Sequence, residues 1–97
     1  MRRVTIIFAA LAVTAVLAVP AFAATTTVNW GIGTVNTVNI KKGNTVKWTW
    51  SGRHNVVGPS LNKSTSGASR TFSANGTFVY ICTIHGATVQ KTTVKVS

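Results

Sequence analysis

An all-β sandwich is the fold class this 97-residue sequence predicts, and three observations carry it. Beyond position 23, Val, Thr, Ile, Trp and Phe dominate the chain, side chains that suit a pleated, half-buried surface. No window repeats its apolar residues at helical spacing. Short alternating runs are instead parted by turn-forming residues at the intervals of a sandwich of six to eight strands.

The elements follow in order. Thr26 to Trp30 and Val35 to Ile40 read as the first two strands, separated by Gly31 and Gly33. Lys41-Lys42-Gly43-Asn44 is a solvated turn, after which Thr45 to Trp50 alternates strictly, with Val46, Trp48 and Trp50 on one face. Those tryptophans, with Trp30, are core candidates. Ser51-Gly52 interrupts the chain before Arg53-His54-Asn55-Val56-Val57. Gly58 to Ser69 is rich in Gly, Ser and Asn and reads as a surface loop or a weak edge. Arg70 to Ser73 is a short strand, and Asn75-Gly76 marks a tight turn. Thr77 to Cys82 is the clearest strand, with Phe78, Tyr80 and Cys82 on one face and Val79 and Ile81 on the other. Thr92 to Val96 closes the chain.

The first 23 residues differ in kind. Met1-Arg2-Arg3 precedes an apolar run from Val4 to Val19, and Pro20 leads into Ala21-Phe22-Ala23, the small-x-small form of a signal-peptidase site. The run is short for a membrane span of roughly 20 residues. Residues 1–23 are therefore expected to form a signal peptide, helical before its removal, with a retained anchor as the alternative. The domain is 24–97, and removal of 23 of the 97 residues leaves 74. Domains of that size commonly need a disulfide or a metal to supplement a modest core. With one cysteine, Cys82, an internal disulfide is impossible.

There is no Asp and no Glu. Paired carboxylates for glycoside hydrolysis, acidic cages for calcium and Ser-His-Asp triads all lack their parts, so an enzyme is not expected. The net charge of +10 falls to +8 once Arg2 and Arg3 leave with the signal. Such a field favours an acidic partner or an anionic cell surface. Export argues against nucleic acid. The sequon-like Asn62-Lys63-Ser64 and Asn75-Gly76-Thr77 are read as incidental, the second because it sits on a turn, and the Gly-rich loop lacks the lysine and the spacing of a phosphate-cradling loop.

The chemistry concentrates in Tyr80-Ile81-Cys82-Thr83-Ile84-His85-Gly86-Ala87-Thr88-Val89-Gln90. Cys82 ends a strand, His85 stands in the loop beyond it, and Gln90 sits at that loop's far end. His54 lies past the Trp48–Trp50 strand, where a sandwich brings it to the same pole. A thiolate, two imidazoles and a weak oxygen donor make the asymmetric set of a blue-copper electron-transfer site. The same His₂Cys set also binds zinc well. A lone cysteine is more often a small buried hydrophobe than a ligand. Its coincidence with two histidines at strand ends is what favours the metal.

At these residues the sequence resembles the cupredoxin family, in particular its plastocyanin-like and pseudoazurin-like members. The likeness spans nearly all of 24–97. It rests on Val38-x-Ile40-x-x-Gly43-Asn44-Thr45-Val46-x-Trp48, on His54-Asn55-Val56, and on Tyr80-x-Cys82-Thr83-x-His85-Gly86. The resemblance implies a Greek-key sandwich holding one type 1 copper ion, with His54, Cys82 and His85 as equatorial ligands. It implies that Asn55 ties the two ligand loops together. Family members usually place methionine five residues after the second histidine. Here Gln90 takes that place, as in stellacyanin-like members, and Met1 is the only methionine. A backbone carbonyl near His54, or an open position, is the alternative axial arrangement.

The resulting expectation is an exported, monomeric carrier of single electrons, periplasmic or at the cell surface, that docks acidic redox proteins. His85 would pass the electron through an apolar patch including Gly86, Ala87 and Val89. Arg53 is equally a docking or a solvated residue. Two rivals use the same sequence differently: a copper storage, delivery or resistance protein, and a metal-free basic β-domain of the cell surface.

Overall fold

The computed structural model describes residues 23–97; apart from Ala23, the expected signal segment lies outside the described residues. Eight strands form, β1 (Thr25–Asn29), β2 (Val35–Ile40), β3 (Thr45–Thr49), β4 (Val56–Gly58), β5 (Leu61–Lys63), β6 (Ala68–Thr71), β7 (Gly76–Ile81) and β8 (Lys91–Val96). No helix occurs among the described residues. The strands make a three-stranded sheet, β1-β3-β6, and a five-stranded sheet, β2-β8-β7-β4-β5. The all-β sandwich expected from the sequence is the fold.

Alternation decides which side chains meet between the sheets. On β3, Val46 and Trp48 are buried while Lys47 is exposed. On β8, Thr92, Val94 and Val96 are buried while Lys95 is exposed. Trp48 stands at the centre, 4.9 Å from the Tyr80 ring and 6.4 Å from Trp30 between centroids. Its indole Nε1 donates to Thr92 Oγ1 at 3.2 Å, so the buried polar handle of the largest core residue is satisfied. Phe72, between β6 and β7, extends the aromatic row to within 6.0 Å of Tyr80 and 5.4 Å of Phe78. Burial of each such side chain contributes about 1.5–3 kcal/mol.

Two sequence expectations need correction, and one pair of alternatives is decided. The Gly58–Ser69 stretch, read as a surface loop or a weak edge, holds a short edge strand, β5, joined to β4 across Pro59-Ser60. Pro59 followed by Ser60 at φ 58° is the pattern of a type II turn with serine where glycine is usual, which is why the hairpin was hard to read. Strand β6 covers Ala68–Thr71, two residues earlier than Arg70–Ser73. Its register on β3 sets buried Ala68 opposite Trp48 and Arg70 opposite Val46, pairings that local sequence does not reveal. Asn75-Gly76, expected as a tight turn, is not one: the chain bends at Ala74, and Gly76 already begins β7. There the chain passes from the three-stranded to the five-stranded sheet.

Gly58 is fixed by space. A Cβ at that position would collide with the Val79 carbonyl oxygen and the Tyr80 ring. The close approach lets β4 lie against β7, where Val57 pairs with Ile81. That pairing sets the His54 loop beside the end of the Cys82 strand.

Candidate metal centre

The loop between β7 and β8 folds into two successive reverse turns. Gly86 N donates to Cys82 O at 2.8 Å, and Gln90 N donates to Gly86 O at 3.1 Å. The first turn sets Cys82 and His85 side by side, and the second brings Gln90 back beneath them. Cys82 N donates to Gln90 O at 3.3 Å and closes the loop at its base. Gly86, with φ +96°, sits at the joint in a conformation that strains any other residue. Reading Cys-x-x-His-Gly as a tight ligand turn thus has a backbone reason.

His54 arrives from the other side. Asn55 fastens its loop to Thr83: Asn55 Nδ2 donates to Thr83 Oγ1 and Thr83 N donates to Asn55 Oδ1, both at 2.8 Å. Trp30 Nε1 donates to Asn55 O, also at 2.8 Å. The three bonds hold the end of β1, the His54 loop and the residue after Cys82 in one frame. Asn55 is where the resemblance implied a tie, and the tie is made to the residue following the thiol.

The three candidate ligands converge. The ligand atoms of His54, Cys82 and His85 all lie within 4.8 Å of one another, a spacing positioned to hold a metal ion. The imidazole centroids are 4.8 Å apart. Cys82 Sγ is 3.4 Å from His85 Nδ1. Gln90 joins them: its Oε1 is 3.2 Å from His54 Nδ1 and 3.2 Å from His85 Nδ1. Cys82 and Gln90 are fully buried, whereas both histidines are half-buried. Two imidazole nitrogens, one sulfur and one amide oxygen therefore point at a single volume, closed beneath by the core. Gln90 Nε2 is a buried polar atom with no partner.

The surroundings are apolar and cationic. Ala87 is exposed and Gly86 and Val89 are half-exposed, as expected for the loop around His85. Sequence reading missed two residues of this pole. Ile32 and Ile84 are 66% and 41% exposed, so both present apolar side chains to solvent. Ile32 stands on the β1–β2 loop, which is bound to the ligand loop by Gly33 N to Val89 O at 2.7 Å. The signal available was an isoleucine flanked by glycines, with no alternating pattern to bury it. Arg53 is exposed beside His54.

No family model matches the sequence, and no curated protein matches it. Solved structures do. One is an amicyanin variant with methionine replaced by glutamine, in its Cu(I) form: 27% identity over 75% of this chain and 82% of that one, TM-score 0.56. Pseudoazurin from Hyphomicrobium denitrificans is 18% identical over 75% of each chain, TM-score 0.63. Amicyanin from Paracoccus versutus is 23% identical over 84% of this chain and 87% of that one, TM-score 0.52. The eight-stranded sandwich thus has the fold of these cupredoxin neighbours, and His54, Cys82 and His85 form a possible metal site at one end of it.

Proposed function

We propose that the chain is a small exported blue copper protein that carries single electrons, with His54, Cys82 and His85 as equatorial ligands and Gln90 Oε1 as the weak axial donor. The observation that carries this reading is the convergence of Nδ1, Sγ, Nδ1 and Oε1 at one half-buried pole. The donor set fits copper: thiolate stabilises Cu(I), imidazole suits both oxidation states, and a weak oxygen donor completes the asymmetric site. Bound there, copper would supply a one-electron Cu(II)/Cu(I) couple.

The chain's own residues account for the rest. The Asn55–Thr83 and Trp30–Asn55 bonds fix the two ligand loops to the sandwich, so the donors keep their places in either state. Cys82 and Gln90 are themselves fully buried, which keeps water from that side of the site. The half-buried His85 is the route outward, and the exposed Ile84 and Ala87 beside it in sequence give a partner an apolar surface to press against. The absence of carboxylates leaves a partner's acidic residues the only ones available to pair with these lysines and arginines. We place the domain at 24–97, monomeric, released by cleavage after Ala23 into the periplasm or at the cell surface. No enzymatic role is assigned. No helix of the described residues is long and apolar enough to cross a membrane. Amicyanin's Cu(I) form as a structural neighbour supports the choice of copper.

Adding Cu(II) to the purified 24–97 protein tests the reading. One equivalent should bind and give an intense blue or green colour, and Cys82→Ser should remove that colour completely. A Cys82→Ser variant that keeps the band overturns the assignment. Slow loss of copper with fast electron self-exchange distinguishes a carrier from a storage or delivery protein.

A further inference from the structure

Resting on the reading of Gln90 as the axial donor, we propose that its side-chain amide has two working positions. In the metal-free chain the NH₂ group faces the two histidines and donates to both Nδ1 atoms; on metal uptake the amide turns over and presents Oε1.

The inference begins with a mismatch. One amide atom stands 3.2 Å from His54 Nδ1 and 3.2 Å from His85 Nδ1, while the other amide atom is buried and has no partner. With Oε1 at the shared position, as the structure has it, hydrogen bonds form only if both rings carry their proton on Nδ1. Both lone pairs a metal needs are then absent, and two N–H groups of Gln90 are left without an acceptor. That orientation suits a metal, toward which a carbonyl oxygen should point. It does not suit the protein without one.

Turning the amide removes the conflict. A primary amide carries two N–H donors, and a neutral imidazole with its proton on Nε2 offers one lone pair at Nδ1. Two donors then meet two acceptors at the distances already present. The carbonyl left in the other position is a buried acceptor short of a donor, a lesser fault than an NH₂ group with both hydrogens unmet. The two ends of the amide are close in size, and its terminal torsion is soft, so the turn requires no repacking. Cys82 Sγ, 3.4 Å from His85 Nδ1, is a weaker donor and does not displace the amide. Both rings therefore keep the Nε2–H form with and without metal. Gln90 holds the lone pairs in place until the metal takes them, and no proton has to move between ring nitrogens.

Gln90 is in this sense a positioning residue as well as a donor, and the tautomer of the rings reads out the first role. Long-range proton–nitrogen NMR on the ¹⁵N-labelled metal-free protein in mildly alkaline buffer is the experiment. Both rings should appear as Nε2–H. The Gln90 NH₂ group should exchange slowly with solvent and show couplings across hydrogen bonds to both Nδ1 atoms. Loading with Zn(II) should abolish those couplings and leave the tautomers unchanged. Gln90→Glu, which offers acceptors only, should convert the metal-free rings to Nδ1–H. A wild-type metal-free protein with either ring as Nδ1–H, or with a freely exchanging Gln90 NH₂, overturns the proposal. The axial reading fails separately, through a copper spectrum indifferent to Gln90→Val, and that result leaves the metal-free couplings untouched.

Discussion

Two polar clusters interrupt the core of this sandwich, and they are built on opposite principles. One surrounds Arg70 and Tyr80; the other is the His54–Cys82–His85–Gln90 pole. Arg70 lies on β6 opposite Val46, an inward position for a cation in a chain with no carboxylate to meet it. Every polar contact there is nevertheless made. Tyr80 OH donates to Pro59 O at 2.8 Å, and Arg70 Nη1 donates to Tyr80 OH and, at 3.0 Å, to Pro59 O. The guanidinium also lies 4.5 Å and 4.9 Å from the centroids of Phe72 and Phe78, where aromatic faces attract a cation. At the other pole, four donor atoms face one another and Gln90 Nε2 has no partner. A cluster whose contacts are complete needs nothing more than the fold. One whose donors converge with a contact missing is what the proposed copper site would require.

The largest expected separation between the two clusters is in metal-linked stability. Metal bound only by the folded state adds RT ln(1 + [L]/Kd), about 4 kcal/mol at a 1,000-fold excess over Kd. Copper should therefore raise the melting temperature of the wild type strongly. Cys82→Ser should lose most of that gain, while an Arg70→Met variant keeps it from a lower starting point. Identical metal-free and copper-loaded melting curves for the wild type would support the metal-free surface domain instead.

Next in size are the covalently simple changes at the structural cluster. Tyr80→Phe removes the hydroxyl's bonds to Pro59 O and Arg70, which keep their bond to each other, and should destabilise by about 0.5–1.5 kcal/mol. Gly58→Ala, which forces a methyl against the Val79 carbonyl and the Tyr80 ring, should cost about 1–3 kcal/mol by overpacking. Urea denaturation measures both, and neither should change the visible spectrum of the copper form by more than a few nanometres of band shift. A lost blue band in Tyr80→Phe would mean that the two clusters are one system.

These comparisons also bear on how far the sequence could be read. Strands β1, β2, β3, β7 and β8 were legible because period-two alternation reflects a sheet with one face buried, and Val46, Trp48, Tyr80 and Val94 obey it. The three clustered side chains were legible because a soft, asymmetric donor set is rare. Strand β5 was not, since three residues give no period and Pro59-Ser60 lacks the glycine of an obvious turn. Arg70 was unreadable for another reason. Its role depends on a register between β3 and β6, and on a carbonyl eleven residues away, that no local pattern encodes. Ile32 likewise joins the metal pole through backbone bonds of its loop, Gly33 to Val89 and Lys91 to Thr34.

Within the metal pole, the axial position should be separable from the equatorial set. An amide oxygen is a harder donor than a thioether and favours Cu(II), so Gln90→Met should raise the reduction potential and Gln90→Val should raise it further. A shift on the order of 59 mV is a tenfold change for a one-electron couple and is readily measured by voltammetry. If both variants match the wild type in potential and spectrum, Gln90 does not touch the metal, and a backbone carbonyl beside His54 becomes the axial candidate.

The smallest effect belongs to the structural cluster and appears only in alkali. Burial raises the Tyr80 pKa above 10.0, and the hydrogen bond and charge of Arg70 draw it partly back. A group whose folded pKa is raised gives its full contribution below the unfolded value. It loses that contribution as the pH climbs, because the unfolded chain releases the proton first. Wild-type stability should thus carry no Tyr80 dependence below about pH 10 and should decline above it. Lysines titrate in the same region, so the measurement has to be a difference. The stability gap between wild type and Tyr80→Phe should stay constant from pH 7 to pH 9 and narrow beyond pH 10, since phenylalanine has no proton to lose. A gap that instead widens in alkali would mean that tyrosinate is stabilised in the folded state by Arg70, with the guanidinium's charge outweighing burial.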